Sequence, residues 1–139
     1  MSDTPIVTKV GRVLQIFEPI YKQVFFYDCA PTYSEHLQWL KKDVKISDEN
    51  MEIDKMCDGE FMGWDSEFGA VGTIWTKNKN LELLVHECLH AAVYDMAMHG
   101  MPVNEHNDEQ IAYLQCFLFT LIRENRDAVI PCKKRPKNV

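Results

Sequence analysis

Residues 83–100 read LLVHECLHAAVYDMAMHG, and shortly afterwards residues 104–114 read NEHNDEQIAYL. The first stretch is apolar enough for a core helix, yet His86, Glu87 and His90 run through its middle. Burying such groups without partners costs several kcal/mol each, so something must compensate. A metal ion is the first candidate, and histidines satisfied by core hydrogen bonds are the competing one.

The helix has clear bounds. Asn80 can cap a segment from Leu81 to His99, and Gly100 followed by Met101 and Pro102 supplies a left-handed stop and a break. Projected at about 100° per residue, Glu87, His86, His90 and Tyr94 share one sector. Leu81, Leu84, Val85, Cys88, Leu89, Ala91, Ala92, Met96 and Met98 fill most of the rest, which predicts a buried helix with a single polar stripe. A second helix is expected to begin between Asn104 and Asp108 and to reach about Asn125, with Ile111, Leu114, Leu118, Leu121 and Ile122 as its apolar stripe. The Gly100–Pro102 turn folds it back antiparallel. Glu109, Tyr113, Cys116 and Thr120 share one side of it and are expected to face the polar stripe.

Upstream, residues 4–29 are rich in β-branched and aromatic side chains punctuated by Gly11 and Pro19, which predicts one or two strands. Thr32 with Glu35 forms a capping-box pattern, and Tyr33, Leu37, Leu40 and Val44 recur at helical spacing, predicting a helix over 33–44. Residues 47–60 are acidic and unperiodic, the pattern of a loop. Residues 61–80 read as a short strand, a turn and a second strand near 70–77. The expected fold is α+β in one domain over 1–139: a small mixed or antiparallel sheet packed on the His-bearing helix and the antiparallel helix after it.

Composition narrows the function classes. A 139-residue chain is one domain by length, and 46% hydrophobic with 26% charged residues is the balance of a soluble globular protein. The net charge of −6 argues against a nucleic-acid surface. Lys133, Lys134, Arg135 and Lys137 make the tail 131–139 basic, the pattern of a solvated, frayed end. Five cysteines without a CxxC pair suggest free thiols in a reducing compartment. The first ten residues show no signal-peptide pattern and no apolar run reaches a membrane span, so a cytoplasmic location is expected.

His86-Glu87-Cys88-Leu89-His90 matches HExxH. Positions i and i+4 lie one helical turn apart on one face, so two imidazoles can reach one ion at about 2 Å each. Glu87 projects about 100° from His86, beside the ion, where a base for a metal-activated water belongs. Catalytic zinc usually takes three protein ligands. The metzincin extension would need Gly at 93 and His at 96, where Val93 and Met96 stand. Glu109 gives HExxH-x18-E and is the leading third ligand, with Glu105, His106 and Asp108 in the same turn as alternatives. Tyr94, Tyr113 and His106 are candidate donors to a tetrahedral oxyanion.

HECLH with NDEQIAYL resembles the gluzincin branch of the zincin metallopeptidases, and within it the small metallopeptidase-like proteins encoded by bacteriophages. The likeness covers roughly residues 69–122. It implies a minimal zincin-like domain in which His86, His90 and Glu109 bind Zn2+ and Glu87 is the general base. It also implies that the strand within Gly69–Thr76 is a sheet edge to which a peptide substrate adds backbone hydrogen bonds. Full-sized gluzincins follow their Glu with an Asp four positions on, where Tyr113 stands here, and carry a large second domain that this chain lacks. The implied activity is zinc-dependent hydrolysis of a peptide or related amide in the host cytoplasm. The alternative from a different class is an accessory protein that keeps scaffold and metal but acts by binding a host protein. A structural zinc with His106 as a fourth ligand would leave no room for chemistry.

Overall fold

The computed structural model describes residues 5–46, 57–67, 69–77 and 80–129. The basic tail and most of the acidic 47–60 stretch lie outside these residues. Three strands form from the first segment where one or two are expected: β1 (Val7–Val10), β2 (Val13–Glu18) and β3 (Gln23–Asp28). The count rises because the turns consume so few residues. Gly11 at φ +60° helps close the first hairpin, in which Val10 pairs with Val13. In the second, the Glu18 carboxylate accepts the backbone N–H groups of Ile20 and Tyr21.

After β3, helix α1 (Tyr33–Trp39) starts on the expected cap, with Thr32 Oγ1 accepting from Glu35 N at 3.1 Å. Its expected last turn, 40–44, is π-helical and closes on left-handed Lys45, whose N–H bonds Leu40 O at 2.8 Å. Strands β4 (Gly59–Ser66) and β5 (Gly69–Thr76) follow, then α2 (Leu81–Met98) and α3 (Asp108–Val129). Asn80 Oδ1 caps α2 through Leu83 N at 3.1 Å, and Gly100 takes φ +72° just past its end. Among the described residues no helix is long and apolar enough to cross a membrane.

The sheet is mixed, in order β1-β2-β3-β5-β4, with β3 and β5 parallel and the other pairs antiparallel. This corrects the expected edge. The strand Gly69–Thr76 is β5, paired on both sides, and the edge beside it is β4. Six of its eight residues are buried, the pattern of an interior strand.

Alternation along the strands splits the side chains between two helical layers. Leu14, Ile16, Phe25, Tyr27 and Ile74 point to one face and pack with Leu84, Cys88 and Ala91 of α2 and Leu118 and Ile122 of α3. Val13, Phe26 and Val71 point to the other, with Leu40 and Val44; Trp75 joins Tyr33 and Leu37 there. Early α3 meets late α2 through Leu114 against Ala92 and Met96, and later α3 meets early α2 through Leu118, Ile122, Leu84 and Cys88, so the pair is antiparallel as expected.

Candidate metal centre

Helix α2 is covered on one side by the sheet and α3, and its outer side is open. His86 and His90 stand on that open side, exposed, whereas Glu87 is only 6% exposed. The projection that placed Val85 and Leu89 on buried circumference is corrected, since they are 42% and 40% exposed. The apolar character of the helix therefore does not report burial all round. The imidazoles are exposed; the buried carboxylates of α2 are Glu87 and Asp95.

The two Nε2 atoms are 3.2 Å apart, with the rings edge-on at 78°. Ligand atoms of His86, Glu87 and His90 all lie within 4.8 Å of one another. The Glu87 carboxylate sits against the edge strand, where the Phe61 N–H donates to it and a Cβ on Gly59 would stand 3.3 Å from Oε2. Burial raises the Glu87 pKa above the usual carboxylate range; the two imidazoles oppose this, and the Glu60 carboxylate adds to it. A cavity of about 480 Å³ opens over the group, lined by Gly59, Phe61, Met62 and Tyr94 with the three site residues and Cys57 at its rim.

Tyr94 is one of the residues that line this cavity. Its ring packs edge-on to both Phe61 and Phe25, and its hydroxyl donates to Val71 O at 3.3 Å. Burial raises its pKa, with Asp65 and Asp95 adding to it. Gly63 of β4 lies directly beneath, where a Cβ would stand 2.5 Å from Tyr94 Cε1. Gly63→Ala is therefore expected to destabilise the fold by about 1–3 kcal/mol in denaturant unfolding, the usual cost of overpacking. An unchanged midpoint would mean that Tyr94 is free to move aside.

The other expected site residues lie elsewhere. Glu109 is exposed in the first turn of α3, and at 100° per residue it projects about 180° from buried Leu118. Tyr113, 51% exposed and stacked on Phe117, and exposed Cys116 share that outer side, which corrects the expectation that this face turns toward the polar stripe. The side of α3 that meets α2 carries Leu114 and Leu118, and Gln115, whose Nε2 donates to Val85 O at 3.1 Å. His106 lies in the connecting turn, its side chain 84% exposed and 3.9 Å from Glu105. Among the described residues the ligand cluster on α2 comprises His86, Glu87 and His90, without Glu105, His106, Asp108 or Glu109.

No family model, curated protein or solved structure matches the chain. The reading of the centre therefore rests on its own geometry. Two nitrogens each about 2.05 Å from a tetrahedral ion are roughly 3.3 Å apart, close to the separation of the two Nε2 atoms. A hydrogen bond between the rings spans the same distance, so the pair can hold this arrangement before an ion arrives. Cys88, inside the motif, takes no part. It is fully buried, and burial pushes its thiol up to about 12. Sequence reasoning missed Gly59 and Phe61, because strand register alone brings them to the helix, and Cys57, which lies just ahead of that strand.

Proposed function

We propose that the chain is a metal-dependent hydrolase of peptides or related amides, with zinc held by His86 and His90 and Glu87 as general base, Glu109 completing the ligand set only if the first turn of α3 moves to the ion. The observation that carries this reading is the exposed Nε2 pair at 3.2 Å with a buried carboxylate beside it and a cavity above. When bound, the ion would supply Lewis acidity toward a carbonyl oxygen and an acidified water. Glu87 takes a proton from water entering beside the imidazoles and hands it to the leaving amine.

The environment of Glu87 suits both halves of that task. Its raised proton affinity brings it closer to neutrality, where a group accepts and releases a proton with similar ease. The Phe61 N–H faces the carboxylate and offsets part of the burial effect. The open side of β4, next to the cavity, is where an extended substrate adds backbone hydrogen bonds.

Glu109 is the member of the ligand set that stands outside the cluster, which makes its variant informative. If it closes on the ion, Glu109→Gln weakens zinc binding at least about tenfold, or 1.4 kcal/mol, by competition titration. Unchanged affinity would strike Glu109 from the set and leave the imidazole pair.

A second reading draws on the exposed ridge Leu81, Val85 and Leu89 beside the imidazoles. A metal-bearing scaffold that acts by binding a protein partner would use such a ridge. Loss of function in His86→Ala with function kept in Glu87→Gln would favour it.

A further inference from the structure

Asp95 lies five residues beyond His90, turned about 140° away from it into the interior. Its side chain is fully buried, and neither carboxylate oxygen accepts a hydrogen bond from the described residues. Against it lies Glu18, the last residue of β2 and equally buried. The Glu18 oxygens already accept the N–H groups of Ile20 and Tyr21, the latter at 3.0 Å.

Among the described residues one basic side chain, His99, faces Asp95. His99, the residue just past the end of α2, points Nδ1 at the Asp95 backbone carbonyl at 2.7 Å and lies 3.4 Å from Oδ1, with its ring stacked on Tyr21 of the β2–β3 turn. Lys22 in that turn is exposed. Gln23, opposite Glu18 on β3, is neutral and donates to Val24 O and Ala70 O. Tyr94 precedes Asp95 with its hydroxyl committed to Val71. From α3 come Ile111 and Leu114, packed with Ala92, Met96 and Met101.

Two ionised carboxylates cannot hydrogen-bond to each other, and two adjacent negative charges do not persist in such an interior. A metal ion would need several further oxygen ligands, and the neighbouring packing is apolar. One proton resolves the arrangement. We infer that Glu18 and Asp95 share a proton, with Asp95 donating and Glu18 accepting, and that this bond latches the C-terminal half of α2 to the β2–β3 turn until rising pH removes it.

The pKa of Asp95 moves with the geometry. Burial first, then the bond to Glu18 and its charge, push it up to about 9. The folded state thus holds a proton that the unfolded chain releases near the ordinary carboxylate value. The latch's contribution is complete below that value, declines as pH rises, and is gone above about pH 9. The inference is independent of the metal reading, although the latched helix is the one that carries His86 and His90.

Infrared spectroscopy of the full chain tests it. At about pH 7.5 exposed carboxyls are ionised, so a protonated C=O stretch reports a buried acid. The expected spectrum contains one such band that Asp95→Asn removes and Glu87→Gln does not. Thermal unfolding from about pH 5 to about pH 9 is expected to show a midpoint that falls with pH in the wild type and is flattened in Asp95→Asn, whose amide donates to Glu18 without a titrating proton. Absence of the band in the wild type, or parallel pH profiles for the two proteins, would overturn the latch. Absence of the band in the wild type decides against the latch even if the variant does not fold.

Discussion

Glu87→Gln is expected to lower the turnover of a cleavable peptide by about 10²–10⁴-fold, the usual span for losing a positioned general base, while zinc content stays near one per chain. Glutamine keeps the size of the side chain and can still accept the Phe61 N–H through its carbonyl, so the floor of the cavity is preserved. It cannot take up the proton. The buried carboxylate also sits at a desolvation cost, which its neutral isostere avoids, so the variant is expected to be at least as stable as the parent. Turnover retained at the parental rate would remove Glu87 from the chemistry.

The second large effect is on stability through the ion. Zinc at about a thousand times its dissociation constant is expected to stabilise the wild type by about 4 kcal/mol, which for a chain of this size raises the melting temperature by roughly 8–16 °C. His90→Ala is expected to lose most of that rise. Its ring is exposed, so the metal-free stability should change by no more than about 0.5 kcal/mol. An equal zinc-induced rise in wild type and variant would show that the metal binds elsewhere.

Local signals made much of the fold legible. The caps at Thr32 and Asn80, the left-handed Gly100 and the stripe Leu114, Leu118 and Ile122 depend on residues a few positions apart, and each forms as the sequence dictates. Strand order is not local. Nothing in residues 69–76 says that β3 will lie on one side and β4 on the other, and the edge that the family resemblance implied there is an interior strand. The same limit applies to the helix. Val85 and Leu89 read as core because they are apolar, but two covering layers leave part of any helix open.

The candidate site divides along the same line. His86, Glu87 and His90 come together because one helix spaces them, and spacing is written in the sequence. The Phe61 N–H that faces Glu87 arrives through the β4–β5 register, Cys57 comes in just ahead of β4, and neither carries a motif. Asp95 shows the converse. It looks like a break in an apolar helix, and only the fold reveals the Glu18 carboxylate against which it lies.

Zinc-edge X-ray absorption on the zinc-loaded chain tests the central claim most directly. The account predicts one ion per chain with two imidazole nitrogens at about 2.0–2.1 Å, both lost when His86 and His90 are replaced together. Failure to load stoichiometric zinc, or a coordination shell without imidazole, would contradict it.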